Sequence, residues 1–279
     1  MKGIFFMAFL QSVLAFLDSS METPTSFGWF HLLWFALSFL ALIPLCLFPK
    51  KPTEDHVRRV VLITALVVIA LEIYKQINYS FSYSDGITYD YQWYAFPFQF
   101  CSTPMYVGLL AALTKQGKVH RALCAYLATY SVFAGTCVMF YPNSVFVHTV
   151  GINIQTMICH GAMVVIGGYL LGSGYVKMEA KTVLRAMPVF ACAVAMAAGM
   201  NELAHAAGIE GFNMFFISPY ETCTLPVYSL VHNAVPFPVN LCIYVLGFTA
   251  ASFVVLYACR CIRFFWTKIH VRKHIPIVR

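Results

Sequence analysis

The residues of this sequence that are best suited to chemistry are a cysteine and a histidine in two different apolar segments. Cys101 lies eight residues into a segment that begins near Trp93, and His160 lies eight residues into one that begins near Ile152. A thiolate attacks acyl carbon atoms, and a neighbouring imidazole accepts the thiol proton as the attack proceeds. The pair therefore predicts nucleophilic acyl transfer, with Cys101 as the nucleophile and His160 as the base.

Four more polar side chains lie in or beside apolar segments and could assist this pair. Glu72 could orient the imidazole by its charge, and Asn201 could do so as in Cys-His-Asn sites. Gln99, like Asn201, could donate a hydrogen bond to an oxyanion. His31 lies about one turn into another segment. Because polar side chains are costly in a bilayer unless they face protein or water, we expect all four in one polar layer of the interior.

A metal centre is an alternative use of the histidines. Glu202 and His205 form an E-x-x-H pattern that places both side chains on one helical face, but the sequence lacks the HExxH spacing of zinc enzymes. A histidine held by structural partners is the favoured interpretation, and we expect neither a metal nor a cofactor.

The composition predicts that these residues lie in a membrane protein. Of the 279 residues, 60% are hydrophobic and 10% are charged, whereas soluble domains carry about 25% charged residues. The long uncharged segments predict an all-α, polytopic bundle of membrane-spanning helices. The net charge of +7 comes from basic residues in short loops rather than on one face, so nucleic acid is not an expected partner.

Seven apolar segments predict seven transmembrane helices. They cover approximately residues 27–48, 60–75, 93–114, 122–141, 152–175, 182–201 and 237–259. Three loops and the C-terminal tail hold 16 of the 18 Lys and Arg residues. The positive-inside rule places those segments in the cytoplasm, so the first span begins outside and the chain ends inside. Cys101 and His160 then both lie about 12 Å below the outer surface, and the polar layer occupies the outer half of the bundle.

The predicted domain organisation has three parts. A short apolar N-terminal segment with an outer linker (1–26) precedes the seven-helix membrane domain (27–260), and a basic cytoplasmic tail follows (261–279). Residues 3–17 form a helix of only about 22 Å, against a hydrocarbon core of about 30 Å. A surface-lying or re-entrant helix is favoured, while a cleaved signal peptide and a shortened eighth span are alternatives.

Two irregular features are expected near the polar layer. Pro97 and Pro104 interrupt the third span, so this segment either lines a cavity or is a kinked helix in which Ser102 or Thr103 satisfies the free carbonyl group. The outer loop at 213–220 is too apolar to lie free in water. We expect it to fold back over the outer mouth of the bundle, as a lid or as packing.

Several short motifs together resemble the YwaF-like family of integral membrane proteins. They are Phe-His-Leu-Leu-Trp at 30–34, the acidic Glu72, Pro-Phe-Gln-Phe-Cys-Ser at 97–102, Cys-His-Gly at 159–161 and the region 201–226. The resemblance extends over about residues 27–259. It implies a multi-pass protein of a bacterial cytoplasmic membrane with membrane lipids as its partners.

The YwaF-like family is similar to a vertebrate transmembrane acyltransferase that places polyunsaturated acyl chains on ether phospholipids through a membrane Cys and His. It is more remotely similar to intramembrane threonine hydrolases that cleave lipid esters. Carried over to this chain, the resemblance puts the nucleophile at Cys101 and the base at His160. It implies no metal and no soluble cofactor.

Two other functions stay open at this point. A small-solute carrier could use the polar layer as a binding site, although the internal repeat of many carriers is not visible. A membrane assembly factor could use the same layer to hold its helices together. A lipid acyltransferase or lipid-ester hydrolase acting in the outer half of the bilayer is the favoured interpretation.

Overall fold

The computed structural model describes residues 16–47, 52–82, 88–232 and 234–273, and it confirms a helical membrane bundle. The described residues form the helices α1 (Trp29–Leu47), α2 (Glu54–Asn78), α3 (Thr103–Leu113), α4 (Lys118–Tyr126), α5 (Val132–Phe140), α6 (Val150–Gly172), α7 (Ala180–Ala206) and α8 (Phe237–Lys273). A two-stranded antiparallel hairpin, β1 (Phe81–Ser82) with β2 (Thr88–Tyr89), follows α2. Short 3-10 turns cover Trp93–Ala95, Phe100–Ser102, Met214–Phe216 and Tyr228–Leu230.

In the described part of the chain, the apolar helices follow the order of the predicted spans. Within the described residues, five helices are long and apolar enough to cross a bilayer: α2, the continuous helix Lys118–Phe140, α6, α7 and the Phe237–Phe265 part of α8. The shorter apolar helices Trp29–Leu42 and Phe100–Leu113 occupy the first and third positions. The N-terminal segment 3–17 lies almost entirely outside the described residues, as do residues 274–279 of the basic tail.

The third span departs from the prediction of one helix over 93–114. Its outer half consists of two 3-10 turns, and the α-helix begins only at Thr103. Pro104 stands in the first turn of α3, where its missing N–H costs nothing because the first helical N–H groups have no partner inside the helix. The Thr103 hydroxyl donates to the Phe100 carbonyl oxygen at 2.8 Å. Pro104 therefore starts a helix rather than kinking one.

A π-helical turn in the fourth span fixes the third and seventh spans against it. The π turn Leu127–Ser131 joins α4 to α5. Tyr126 shares a 2.5 Å hydrogen bond with the Thr103 hydroxyl at the start of α3, and Tyr130 shares one of 2.6 Å with Thr249 of α8. Both tyrosine side chains are fully buried. Their hydroxyl groups are thus satisfied across helices, as burial in an apolar interior requires.

Helix α6 lies at the centre of the bundle and carries His160. It packs against α1, α2, α5 and the π turn, and it is the most buried of the five long helices. Small residues allow these close crossings: a Cβ atom on Gly135 of α5 would lie 2.7 Å from the His160 carbonyl oxygen, and one on Gly161 would collide with the Ser38 hydroxyl of α1. Close approach at small residues is typical of membrane helices, which gain little from the hydrophobic effect.

We therefore expect Gly135→Ala to destabilise the fold by about 1–3 kcal/mol, because the new methyl group must displace α6. Its Cβ would meet Met163 Cβ at 2.8 Å as well as the His160 carbonyl. The matched control is Gly199→Ala on α7, where a Cβ meets nothing within 4 Å. The thermal unfolding midpoint in detergent should fall for the first variant only. Equal midpoints would show that α5 and α6 do not cross here.

Candidate active site

Cys101 lies in the 3-10 turn Phe100–Ser102, directly before the N-terminus of α3. Its side chain is partly exposed. It lines a narrow cavity of about 20 Å³ between α2, α3 and α6. The sequence placed Cys101 inside a continuous helix, where backbone N–H groups are committed. The structure places it instead beside the positive end of the α3 dipole, which favours negative charge nearby.

His160 is oriented by its own helix rather than by a distant side chain. It is 5% exposed, and its Nδ1 lies 2.7 Å from the carbonyl oxygen of Thr156, one turn earlier. A carbonyl oxygen only accepts, so Nδ1 carries the hydrogen and the neutral ring has its lone pair on Nε2. None of the described residues forms a hydrogen bond with Nε2. The hydrogen bonds of this ring among the described residues include none with Glu72 or Asn201, the two side chains expected to orient it.

An ion pair on α2 lies one helical turn beyond the cavity of Cys101. Lys75 Nζ lies 2.7 Å from Glu72 Oε1. Glu72 follows Val68 by four residues, and Val68 lines that cavity. The cavity is lined in addition by Met163, three residues after His160. The hydrogen bonds among the described residues include none between Cys101 and His160.

Glu72 is held in place by a chain of side-chain hydrogen bonds. Gln76 Nε2 donates to Glu72 at 2.8 Å and to the Ala95 carbonyl at 2.7 Å, and the Tyr91 hydroxyl donates to Gln76 Oε1 at 2.7 Å. Glu72 is only 6% exposed, so its charge needs these partners and Lys75. Glu72 thus pairs with Lys75 and is itself held by Gln76.

Gln99 and Asn201 hold a loop and do not face a reacting group. Gln99 donates to the Asn213 carbonyl and accepts from the Phe215 amide, both at 2.9 Å. Asn201 donates to the Met214 carbonyl at 3.1 Å and accepts from the Met214 amide at 2.8 Å. Each side-chain amide group therefore donates one hydrogen bond to the loop backbone and accepts one from it, as a neighbouring β-strand would. Both were expected to assist catalysis, and the structure gives them a structural role instead.

The loop that they hold is inserted into the bundle. Met214, Phe215 and Ile217 are fully buried, and the Phe215 ring stacks on Phe100 with centroids 5.7 Å apart. Phe215 and Phe216 adopt φ angles of 60° and 58°, which are unfavourable for residues other than glycine. The two amide clamps and the buried rings offset this strain. The loop thus packs into the bundle next to the Cys101 turn.

His31 is also a structural residue. It is fully buried, its Nε2 donates to the Met139 carbonyl of α5 at 2.8 Å, and its Nδ1 accepts from the Phe27 amide at 2.8 Å. Both ring nitrogens are therefore used to fix the start of α1 against α5, and His31 does not join the site.

The two residues of the E-x-x-H pattern, Glu202 and His205, both interact with Tyr220. The His205 ring stacks on Tyr220 with centroids 3.5 Å apart, and the Tyr220 hydroxyl donates to Glu202 Oε2 at 2.8 Å. Within the described part of the chain, no three His, Cys, Asp or Glu side chains converge in a way that could hold a metal ion.

Sequence reasoning missed two members of the site, Lys75 and Thr156. Lys75 closes the predicted second span, and a lone cation three positions after the acidic Glu72 was a signal for the ion pair. Thr156 acts through its backbone carbonyl, four residues before His160. Because every residue has a backbone carbonyl, the type of residue 156 gives no indication of this contact.

Comparison with known proteins identifies the family. The model of the TMEM164 family matches residues 26–259. No curated protein matches the chain, and no solved structure does. The chain therefore belongs to the TMEM164 family and is an integral, multi-pass membrane protein. The YwaF-like name and the relation to an acyltransferase stay predictions.

The loop clamp leads to a stability prediction. Asn201→Ala leaves the Met214 amide buried without a partner, at a cost of about 1–3 kcal/mol, while the Met214 carbonyl keeps its hydrogen bond from the Ile217 amide at 3.4 Å. We expect the free energy of unfolding in detergent, measured by denaturant titration, to fall by about 1–3 kcal/mol. Leu203→Ala, at a position of the same helix that is 73% exposed, should change it little. Equal losses in the two variants would contradict the clamp.

Proposed function

For this member of the TMEM164 family, we propose the activity of an intramembrane lipid acyltransferase, or of a lipid-ester hydrolase that passes the acyl group to water. Cys101 is the nucleophile and His160 is the base. The proposal depends most on one observation. The hydrogen bond from His160 Nδ1 to the Thr156 carbonyl oxygen leaves the Nε2 lone pair ready to accept a proton.

The first half of the reaction forms an acyl-enzyme. The Cys101 sulfur attacks the carbonyl carbon of a lipid ester while the thiol proton passes to His160 Nε2. The tetrahedral intermediate collapses, the ester C–O bond breaks, and His160 gives its proton to the departing alkoxide oxygen. The products are an acyl-thioester on Cys101 and a lysophospholipid.

The second half transfers the acyl group. His160 Nε2 accepts a proton from the hydroxyl of a lysophospholipid or from water, and that oxygen attacks the thioester carbonyl carbon. The C–S bond then breaks, and the proton returns from His160 to the Cys101 sulfur. A lysophospholipid acceptor gives acyl transfer, and water gives hydrolysis.

The negative charge on the ester oxygen needs a positive partner during both halves. Gln99 and Asn201 donate to backbone carbonyl groups of the loop. We assign this role instead to the Lys75 ammonium group, which pairs with Glu72 on α2, and to the N-terminus of α3. Fixed positive groups in a dry site stabilise such charge without reorganising during the reaction.

The surroundings of Cys101 favour a lipid over a small polar solute. Apart from Cys101 and Thr64, only apolar residues line its cavity. An ester in the outer half of the bilayer could reach the thiol sideways while its chains stay in hydrocarbon. The proposed setting is the cytoplasmic membrane of a bacterium, with membrane phospholipids as donor and acceptor.

A transfer assay with a matched thiol control tests the function. We expect Cys101→Ala and His160→Ala to lower acyl transfer in phospholipid vesicles by about 10²-fold or more. Cys159→Ala, which removes a neighbouring thiol in electrostatic range of Cys101, should stay active. Transfer of an isotope-labelled acyl chain to added lysophospholipid, and its release as free acid, are measured by mass spectrometry.

Turnover by Cys101→Ala at the wild-type rate would overturn the proposal. Wild-type protein that transfers and releases no acyl group from any phospholipid class would also overturn it and favour a carrier or an assembly factor.

The assignment of Lys75 gives a separate prediction. Lys75→Met alone would leave the Glu72 carboxylate buried without its cation, so the informative variant is Glu72→Gln with Lys75→Met. We expect this double variant to fold and to lose about 10²-fold in kcat, with a smaller change in KM, as when one oxyanion donor is removed. Glu72→Gln alone keeps the ammonium group and should retain most of the rate. An unchanged kcat in the double variant would exclude Lys75 from this role.

A further inference from the structure

The segment between α7 and α8 contains a second pocket, which is larger and more polar than the cavity beside Cys101. Its volume is about 260 Å³, which is room for roughly nine water molecules at about 30 Å³ each. Residues 219–223, Ser229 and His232 line it. The pocket lies on the predicted outer side, and Thr222 and Ser229 on its wall are exposed, so a solute can enter it.

His232 gives this pocket an imidazole group whose hydrogen-bonding capacity is unused. It is 4% exposed, and neither Nδ1 nor Nε2 has a hydrogen-bond partner among the described residues. The ring is held in place, because the Tyr228 ring packs edge-on against it with centroids 5.6 Å apart and Asn240 Nδ2 donates to the His232 carbonyl at 2.7 Å. A buried polar group is unfavourable without a partner, so this fixed ring is suited to bond to a molecule in the pocket.

Glu221 makes the same pocket attractive to a cation. Its side chain is half-buried, and its Oε1 accepts from the Gly211 amide at 2.8 Å. The other carboxylate oxygen, Oε2, bonds to none of the described residues. The whole segment 201–236 contains three acidic residues and neither Lys nor Arg. Because no basic side chain of this segment offsets the carboxylate, the pocket favours a positively charged ligand over an anion.

We propose that this pocket binds a primary ammonium group, carried by a small soluble amine or by a lipid headgroup. Such a group has three N–H donors. The pocket offers three kinds of acceptor on its wall: the Glu221 carboxylate, the lone pair of the neutral His232 ring and the Ser229 hydroxyl oxygen. Hydrogen bonds from an ammonium group to these acceptors are charge-assisted and therefore strong.

A metal ion is a poorer occupant than an amine. Glu221, Cys223 and His232 all line the pocket, yet no three metal-ligating side chains of the described residues converge closely enough to hold an ion. None of the lining residues belongs to the candidate active site, so amine binding does not depend on the proposed function.

Two variants remove the proposed contacts with little effect on the fold. Glu221→Gln removes the charge but keeps an oxygen that can accept from the Gly211 amide. His232→Phe removes both ring nitrogens, which have no partner among the described residues, and keeps a ring against Tyr228. The matched control is Glu210→Gln, because Glu210 is an exposed acidic residue of the same segment that does not line the pocket.

The test is a titration of the purified protein in phospholipid-free detergent micelles with ethanolamine, followed by saturation-transfer NMR. Ethylene glycol, in which a hydroxyl group replaces the ammonium group, is the control ligand. We expect saturable binding of ethanolamine only. Glu221→Gln and His232→Phe should each raise its Kd by about tenfold or more, as for the loss of a hydrogen bond to a charged group. Glu210→Gln should leave the Kd unchanged.

A second titration distinguishes the two sources of the amine. It compares dihexanoyl phosphatidylethanolamine with dihexanoyl phosphatidylglycerol, which lacks the ammonium group. Binding of ethanolamine itself supports a soluble amine as the ligand, whereas binding of the ethanolamine lipid alone supports a lipid headgroup. Thermal unfolding midpoints of the variants that equal the wild-type value show that the fold is intact.

Three results would overturn the inference. The first is that neither ethanolamine nor its lipid binds to the wild-type protein. The second is that ethylene glycol or the glycerol lipid binds as tightly, since the ammonium group would then not be recognised. The third is an equal loss of affinity in Glu210→Gln, because the effect would then come from the charge of the segment as a whole.

Discussion

The structure depends on one constraint: a polar backbone group inside a bilayer must have a partner. The third span breaks this regularity, because its outer half consists of two short 3-10 turns, which leave some of its carbonyl groups without a backbone partner. Side chains of α2 and α3 bond to carbonyl groups of this segment. Thr103 donates to the Phe100 carbonyl, Gln76 donates to the Ala95 carbonyl, and Tyr106 donates to the Pro97 carbonyl. These side chains complete the interrupted segment.

The same interruption creates the candidate site. A continuous helix would bury Cys101 among committed peptide groups, whereas the late start of α3 leaves the thiol beside a helix N-terminus. The hydrogen bonds that satisfy the broken segment also hold Glu72, and through it Lys75, near that thiol. On the other side, Gly135 lets α5 approach α6 at the level of His160. The contacts that satisfy the backbone of the third span therefore also position residues of the candidate site.

The sequence predicted the order of the apolar helices but not the partners of the polar residues. Apolar length and charge determine which segments cross a bilayer, so that order could be read directly. Depth follows from counting residues along a helix, and the equal depth of Cys101 and His160 stays a prediction. The rotation of each helix and the path of a loop are not encoded in such counts. Gln99 and Asn201 therefore looked like assistants of catalysis, although the loop that they clamp begins more than ten residues after Asn201.

The measurement that tests the central claim most directly is peptide mass spectrometry of the purified protein after brief labelling with a lipid-like electrophile. The account predicts that the label appears on Cys101 of the wild-type protein and is lost in His160→Ala, while the neighbouring Cys159 stays unlabelled in both. Label spread over several cysteines, at a level that does not change in His160→Ala, would contradict it. Cys101 would then be an ordinary packed thiol, and the broken third span would serve the fold alone.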